Sequence, residues 1–115
     1  MMLSKHFSRQ EFACQCGCGF DTVDSVLIEA LESIREHFDS PVTITSGCRC
    51  PEHNNAVGGS DNSQHKKGRA SDIKVSGTSP EIVSNYAKSL GILSVGTYAT
   101  FTHVDSRSGV PKRWG

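Results

Sequence analysis

The stretch Ser63-Gln64-His65-Lys66-Lys67-Gly68-Arg69-Ala70-Ser71-Asp72, answered further along by Thr102-His103-Val104-Asp105, constrains this chain more than any other feature. Two imidazoles and a carboxylate can converge on one metal ion only if the two segments lie side by side in the fold. Three protein ligands leave a fourth tetrahedral position for water, which is how a catalytic zinc differs from a structural one. His65 falls in a polar loop, and Asp72 and His103 fall on stretches with strand character. Gly68 permits the tight turn that brings a loop residue and a strand residue to one point. His103 joins them if its strand pairs beside Ala70–Val75. Asp is a hard oxygen donor and His a borderline nitrogen donor, a set that suits zinc among the common ions. On spacing alone, the same residues also read as a surface histidine and a loop aspartate that caps or turns.

The 115 residues predict a single domain, 1–115, with one small core. Twelve Lys plus Arg balance twelve Asp plus Glu, so the formal net charge is zero. That argues against a non-specific nucleic-acid binder, which carries a basic field. No apolar run approaches the ~20 residues of a membrane-spanning helix. Met1 to Phe7 lack the apolar core of a secretory signal. The expectation is a monomer made in the cytoplasm, which reaches any other compartment by a route its sequence does not encode.

Ser8, with Glu11 three residues later, forms a capping box flanked by Phe7 and Phe12 as a staple. The clearest helix runs from about Asp24 to Phe38, where Val23, Val26, Leu27, Leu31, Ile34 and Phe38 make one apolar stripe. Val42–Ser46 is β-branched and alternating, hence a strand, and Pro51 opens a short helix. Ala70–Val75 reads as a second strand, with Ser71, Ile73 and Val75 toward the core and Asp72 on an open side. Ser79-Pro80 starts another helix, to about Leu90, with Ile82, Val83, Tyr86, Ala87 and Leu90 facing inward. Ile92–Tyr98 and Phe101–Asp105 read as two strands joined by a turn, and the tail from Arg107 to Gly115 as an irregular segment. This order predicts an α+β domain with a small, mostly antiparallel sheet and helices packed on it.

The five cysteines, Cys14, Cys16, Cys18, Cys48 and Cys50, are an odd number, which rules out a fully paired disulfide framework within one chain. Three arrangements stay open. They are reduced thiols, disulfides between the two clusters, or a second, structural metal ion held by four of them. Cys-x-Cys spacing is less typical of zinc than Cys-x-x-Cys.

Several further pieces stand in order along the chain. They are Ser46-Gly47-Cys48-Arg49-Cys50-Pro51-Glu52-His53-Asn54, Val57-Gly58-Gly59, Ser63 to Ile73, Gly96-Thr97-Tyr98, Phe101-Thr102-His103-Val104-Asp105-Ser106-Arg107 and Arg113-Trp114. Together with the opening Leu3-Ser4-Lys5-His6-Phe7-Ser8 and Glu11-Phe12, this pattern resembles the zinc D-Ala-D-Ala carboxypeptidase family of metallopeptidases. The likeness is to its small single-domain members from phages and bacteria, and it covers nearly the whole chain. The resemblance implies zinc (Zn2+) on His65, Asp72 and His103, and a fold of the hedgehog/DD-peptidase type. It also implies hydrolysis of peptidoglycan stem peptides or cross-links, as an endolysin-like carboxypeptidase or endopeptidase. In it, Arg49 corresponds to an arginine that contacts a substrate carboxylate or polarised carbonyl, a role suited to the forked guanidinium. The alternative is a structural arginine paired with a local acid. Ser63 and Tyr98 are candidates for hydrogen bonds to substrate or to a developing oxyanion, or are turn and core residues. Arg113-Trp114 is expected to close the fold or one wall of the cleft.

Many enzymes of that pattern carry an acidic residue three positions before the last histidine ligand, where this chain has Thr100. Asp105 is the leading substitute as catalytic base, because two residues from His103 on a strand it points to the same face. Its other reading is a carboxylate that orients the ligand imidazole. Glu52 and Asp61 are weaker candidates. The alternative function is a zinc-stabilised module, in a phage virion for example, that binds cell-wall peptide without cutting it.

Overall fold

In the computed structural model, which describes residues 1–115, the longest apolar stripe becomes helix α1 (Ser25–Phe38), burying Leu27, Ile28, Ala30, Leu31 and Ile34. Val26 is exposed instead, because at about 100° per residue it falls roughly 40° beyond Ala30, the near edge of the buried arc. The remaining elements are β1 (Val42–Ser46), α2 (Pro51–Ala56), β2 (Ala70–Val75), α3 (Pro80–Ser89), β3 (Ser94–Thr97), β4 (Thr102–Asp105) and β5 (Arg113–Trp114). Two 3-10 turns, Arg9–Phe12 and Gln64–Lys67, complete the order. The first is set by the predicted capping pair, with the Glu11 carboxylate accepting the Ser8 N–H at 2.6 Å.

Helix α3 starts where Ser79-Pro80 predicts, with Ser79 Oγ accepting the Ile82 N–H at 3.4 Å. Its inward face is rotated from the predicted one. Val83, Ser84 and Ala87 are buried, and Ile82 is exposed. A buried serine is tolerable here because its hydroxyl meets Thr102 Oγ1 at 3.3 Å.

The sheet runs in the order β1-β2-β4-β3-β5. Pairings β1–β2, β2–β4 and β4–β3 are antiparallel, and β5 adds to β3 in parallel. The α+β expectation holds, with a mixed sheet. The tail expected to be irregular supplies that edge strand; two residues are too few to reveal a period. One face of the sheet presents Ile73, Val75, Val95 and Val104 to the core shared with α1 and α3. Strand alternation sends Asp72 and His103 to the other face.

Glu32 of α1 holds the N-terminal segment in place. Its carboxylate accepts from the Ser4 hydroxyl and from the His6 N–H at 2.7 Å, and it meets His6 Nδ1 at 2.6 Å. This seats Phe7 in the core against Phe12. Burial by itself would raise the Glu32 carboxyl, but the contacts from Ser4 and His6 outweigh it and lower it. Glu32→Gln is therefore expected to destabilise the chain by about 1–3 kcal/mol at neutral pH. A depressed folded-state pKa stabilises above the unfolded carboxyl value of ~4.3, and the gain is lost as pH falls through the folded value. Denaturation midpoints of wild type and variant should converge in acid. A gap of the same size at neutral and strongly acidic pH would refute this clamp.

Candidate metal centre

Strands β2 and β4 pair with Asp72 directly opposite His103. Opposed residues on antiparallel strands have Cβ atoms within about 4.5–5.5 Å, so register alone makes these side chains meet. His103 Nδ1 lies 2.9 Å from Asp72 Oδ1. His65 reaches the same oxygen from the 3-10 turn before β2, with Nε2 3.3 Å away. That turn begins at Ser63, whose Oγ accepts the His65 N–H at 3.2 Å. It ends at Gly68, whose left-handed backbone (φ 68°) swings the chain into β2, and where a Cβ would collide with the Thr22 carbonyl. Ligand atoms of His65, Asp72 and His103 all lie within 4.8 Å of one another.

Each of the three side chains is oriented from behind. His65 Nδ1 lies 2.7 Å from the Gly47 carbonyl and so donates to it, which turns the Nε2 lone pair toward Asp72. His103 Nε2 lies 2.7 Å from Asp105 Oδ2, which turns Nδ1 toward Asp72. Asp72 Oδ2 lies 3.3 Å from Arg49 Nη2, so Oδ1 is the oxygen that faces both imidazoles. Metal-ligating imidazoles are held this way, the far ring nitrogen bonded to a carbonyl or carboxylate. Two ring nitrogens and one carboxylate oxygen fit zinc and fill three of its four positions.

Asp72 lies on the face predicted, but it is not open: it is 7% exposed, covered by Arg49, His65 and His103. Burial by itself would raise its carboxyl, yet the two imidazoles hold it well below the usual range. Burial likewise opposes charge on His103, and Asp105 with Asp72 overcomes it and raises that ring above its ordinary value. A cation entering among these donors displaces the ring's proton, so metal binding is coupled to proton release.

The trio lies on the wall of a cleft of about 520 Å³, which Arg49, Ser63 and Tyr98 also line. Arg49 Nε donates to Ser46 Oγ at 3.0 Å and Nη1 to Asn54 Oδ1 at 3.3 Å. With the Asp72 contact, three of its five N–H groups are engaged and two remain. Tyr98 Oη accepts the Trp114 Nε1–H at 2.9 Å, leaving its own O–H to donate. Trp114 reaches the cleft because Gly96 lies between it and His103 in the sheet register. A Cβ on Gly96 would run into the indole. The Trp114 ring stands 5.2 Å from the His103 ring, forming one wall of the cleft as the sequence suggests.

A family model described as Peptidase M15 matches residues 5–105, from the N-terminal segment through Asp105. The chain belongs to the peptidase M15 family. This is the zinc-dependent family of D-Ala-D-Ala carboxypeptidases that the sequence resembles, and membership makes the chain a peptidase. A comparison with curated proteins found no match. In this M15 peptidase no helix is long and apolar enough to cross a membrane.

The M15 chain has its second conspicuous carboxylate, Asp105, fully buried behind His103 and off the cleft lining. Oδ2 meets His103 Nε2 and Arg107 Nη2, both at 2.7 Å. Oδ1 accepts from Arg107 Nε at 2.8 Å and from the Arg107 backbone N–H at 3.2 Å. Burial would raise this carboxyl, but Arg107 and His103 hold it down to about 2. Arg107 also lies over the Trp114 ring, 5.4 Å from its centroid. Sequence reasoning gave Arg107 no role. The available signal was its position two residues past Asp105, the same step that relates Asp105 to His103. Thr100 lies between β3 and β4, Glu52 in α2 and Asp61 just before the Gln64–Lys67 turn, and none of the three lines the cleft; Asp72 is the one carboxylate on its lining.

Proposed function

We propose that this M15 peptidase is a zinc enzyme that hydrolyses amide bonds in peptidoglycan stem peptides or cross-links. The observation that carries this reading is the convergence of His65 Nε2, Asp72 Oδ1 and His103 Nδ1 on the wall of a cleft. Zinc held there supplies a Lewis acid for the scissile carbonyl and brings the pKa of water to ~7. The chain's own residues do the rest. The Gly47 carbonyl and Asp105 keep both imidazoles in the ligating tautomer. Arg49 fixes Asp72 through Oδ2 and keeps two N–H groups for a substrate carboxylate or carbonyl oxygen. Ser63 and Tyr98 retain hydroxyl hydrogens that can donate to the peptide or to an oxyanion. Of the two roles open to Asp105, base or orienting carboxylate, its occupied oxygens and low pKa favour the second. Stem peptides are rich in carboxylates, and Arg49 and Arg107 on the cleft lining outnumber Asp72 there, which supports this substrate class.

The test is digestion of purified sacculi and defined muropeptides by zinc-loaded protein. New amines should appear, vanish with a chelator and return with added zinc. Product masses separate loss of a terminal D-Ala from cleavage within the stem or across a cross-link. A second reading, a zinc-stabilised module that binds wall peptide without cutting it, is favoured by the absence of any carboxylate but Asp72 on the cleft lining. Zinc-loaded protein that sediments with sacculi yet releases no amine would establish that reading in place of the first.

A further inference from the structure

We propose that Cys14, Cys16, Cys18 and Cys50 form a second metal site, a tetrathiolate that binds a structural zinc ion and clips the N-terminal segment to the wall of the cleft. Their four Sγ atoms all lie within 4.8 Å of one another. Cys14 Sγ is 3.4 Å from Cys16 Sγ, which is 3.5 Å from Cys50 Sγ. Around a tetrahedral zinc with Zn–S bonds of ~2.3 Å, sulfurs stand about 3.8 Å apart, so the four are gathered at nearly the spacing the ion requires. A set of four sulfurs and no other donor selects zinc or iron, and a closed four-ligand zinc site is structural rather than catalytic.

Two backbone amides point at these sulfurs. The Cys50 N–H donates to Cys14 Sγ at 3.4 Å, and the His53 N–H donates to Cys50 Sγ at 3.4 Å. Such bonds favour the thiolate, the form that binds metal. On binding, the thiols release their protons to solvent; no oxidant is consumed, as it would be in making disulfides.

The loop that carries three of these cysteines has little else to hold it. Its ends are tied by the Cys14 N–H to the Phe20 carbonyl at 2.8 Å. Between them, residues 15–19 are exposed, and Gln15 Nε2 to the Thr45 carbonyl is the side-chain bond outside the sulfur cluster. A loop with no buried apolar side chain gains order most readily from a cross-link or a metal. A turn closed by the Gly17 N–H on the Cys14 carbonyl at 3.1 Å gathers alternate cysteines on one side, which is how the atypical Cys-x-Cys-x-Cys spacing can serve a tetrahedral ion. The odd count is also accounted for. Cys48 is buried and donates to the Thr22 carbonyl at 3.4 Å, outside the cluster.

The clip has a consequence for the cleft. Cys50 caps α2, and its neighbour Arg49 donates its N–H to the His65 carbonyl at 3.0 Å. An ion on Cys50 therefore braces the segment from which Arg49 reaches Asp72.

The experiment is elemental analysis of protein purified under reducing conditions, with His65→Ala and Cys18→Ser variants beside the wild type. One zinc equivalent is expected for each site, so either variant should lose one and keep the other. Cobalt bound to the His65→Ala variant should give the intense thiolate-to-cobalt charge-transfer absorption, which nitrogen and oxygen donors cannot produce. If Cys18→Ser does not fold, that spectrum decides alone. The proposal is overturned if His65→Ala binds no zinc and shows no charge-transfer band, or if the intact mass reveals disulfides that persist in the purified protein. Zinc that survives His65→Ala but is lost in Cys18→Ser, with none held at the other centre, would support the cysteine site while refuting the catalytic one.

Discussion

Asp72→Asn should remove one zinc equivalent from the chain and reduce hydrolysis of muropeptides by on the order of 10³-fold. The Asp72 carboxylate gives Oδ1 to the point shared by both imidazoles and Oδ2 to Arg49. Asparagine keeps the shape and an acceptor for Arg49, so the fold should persist, but it removes the one anionic donor of the trio. Two neutral nitrogens remain, too few for a tight zinc site. Lewis-acid polarisation is worth several kcal/mol of transition-state stabilisation, and each ~1.4 kcal/mol is a factor of ten in rate. The measurements are zinc content after dialysis and turnover on defined substrate. A variant with wild-type zinc and wild-type turnover would remove Asp72 from the centre altogether.

Asp105→Asn separates the two roles that sequence reasoning left open for that residue. If Asp105 orients His103, the amide group disturbs the Nε2–H contact at 2.7 Å and weakens the hold of Arg107. Zinc affinity should then fall by about 10–100-fold, while kcat at saturating zinc stays near wild type. If Asp105 is the base, zinc affinity should hold and kcat at saturating zinc should fall by ~10²–10⁴-fold. The first outcome is expected, because both Asp105 oxygens are engaged and the side chain is fully buried. A zinc titration followed by activity at each concentration distinguishes the two.

Local signals were legible in the chain and long-range ones were not. The capping pair Ser8 and Glu11, the stripe that became α1 and the Ser79-Pro80 start depend on residues within one or two turns of each other. Val26 and Ile82 were misread because an apolar residue beside a stripe looks the same whether the helix is rolled toward it or away. The edge strand Arg113–Trp114 is too short for any period, and its place beside β3 depends on Gly96 leaving room for the indole. The Glu32 clamp on Ser4 and His6 joins segments with no shared pattern.

The candidate centre divides along the same line. His65, Asp72 and His103 were legible as donors because donor chemistry belongs to the residue type, and Gly68 because a left-handed turn belongs to the backbone. Family resemblance then placed those donors in one pattern. Which nitrogen of each ring faces inward was decided by the Gly47 carbonyl and by Asp105, and which carboxylate meets the cleft by strand register. Asp72 and Asp105 are both aspartates on the same face of the sheet. One stands opposite His103 on the cleft wall and the other lies behind it, locked to Arg107. That difference arises only when β2 and β4 pair, since a single step of register would move every side chain of a strand to the opposite face.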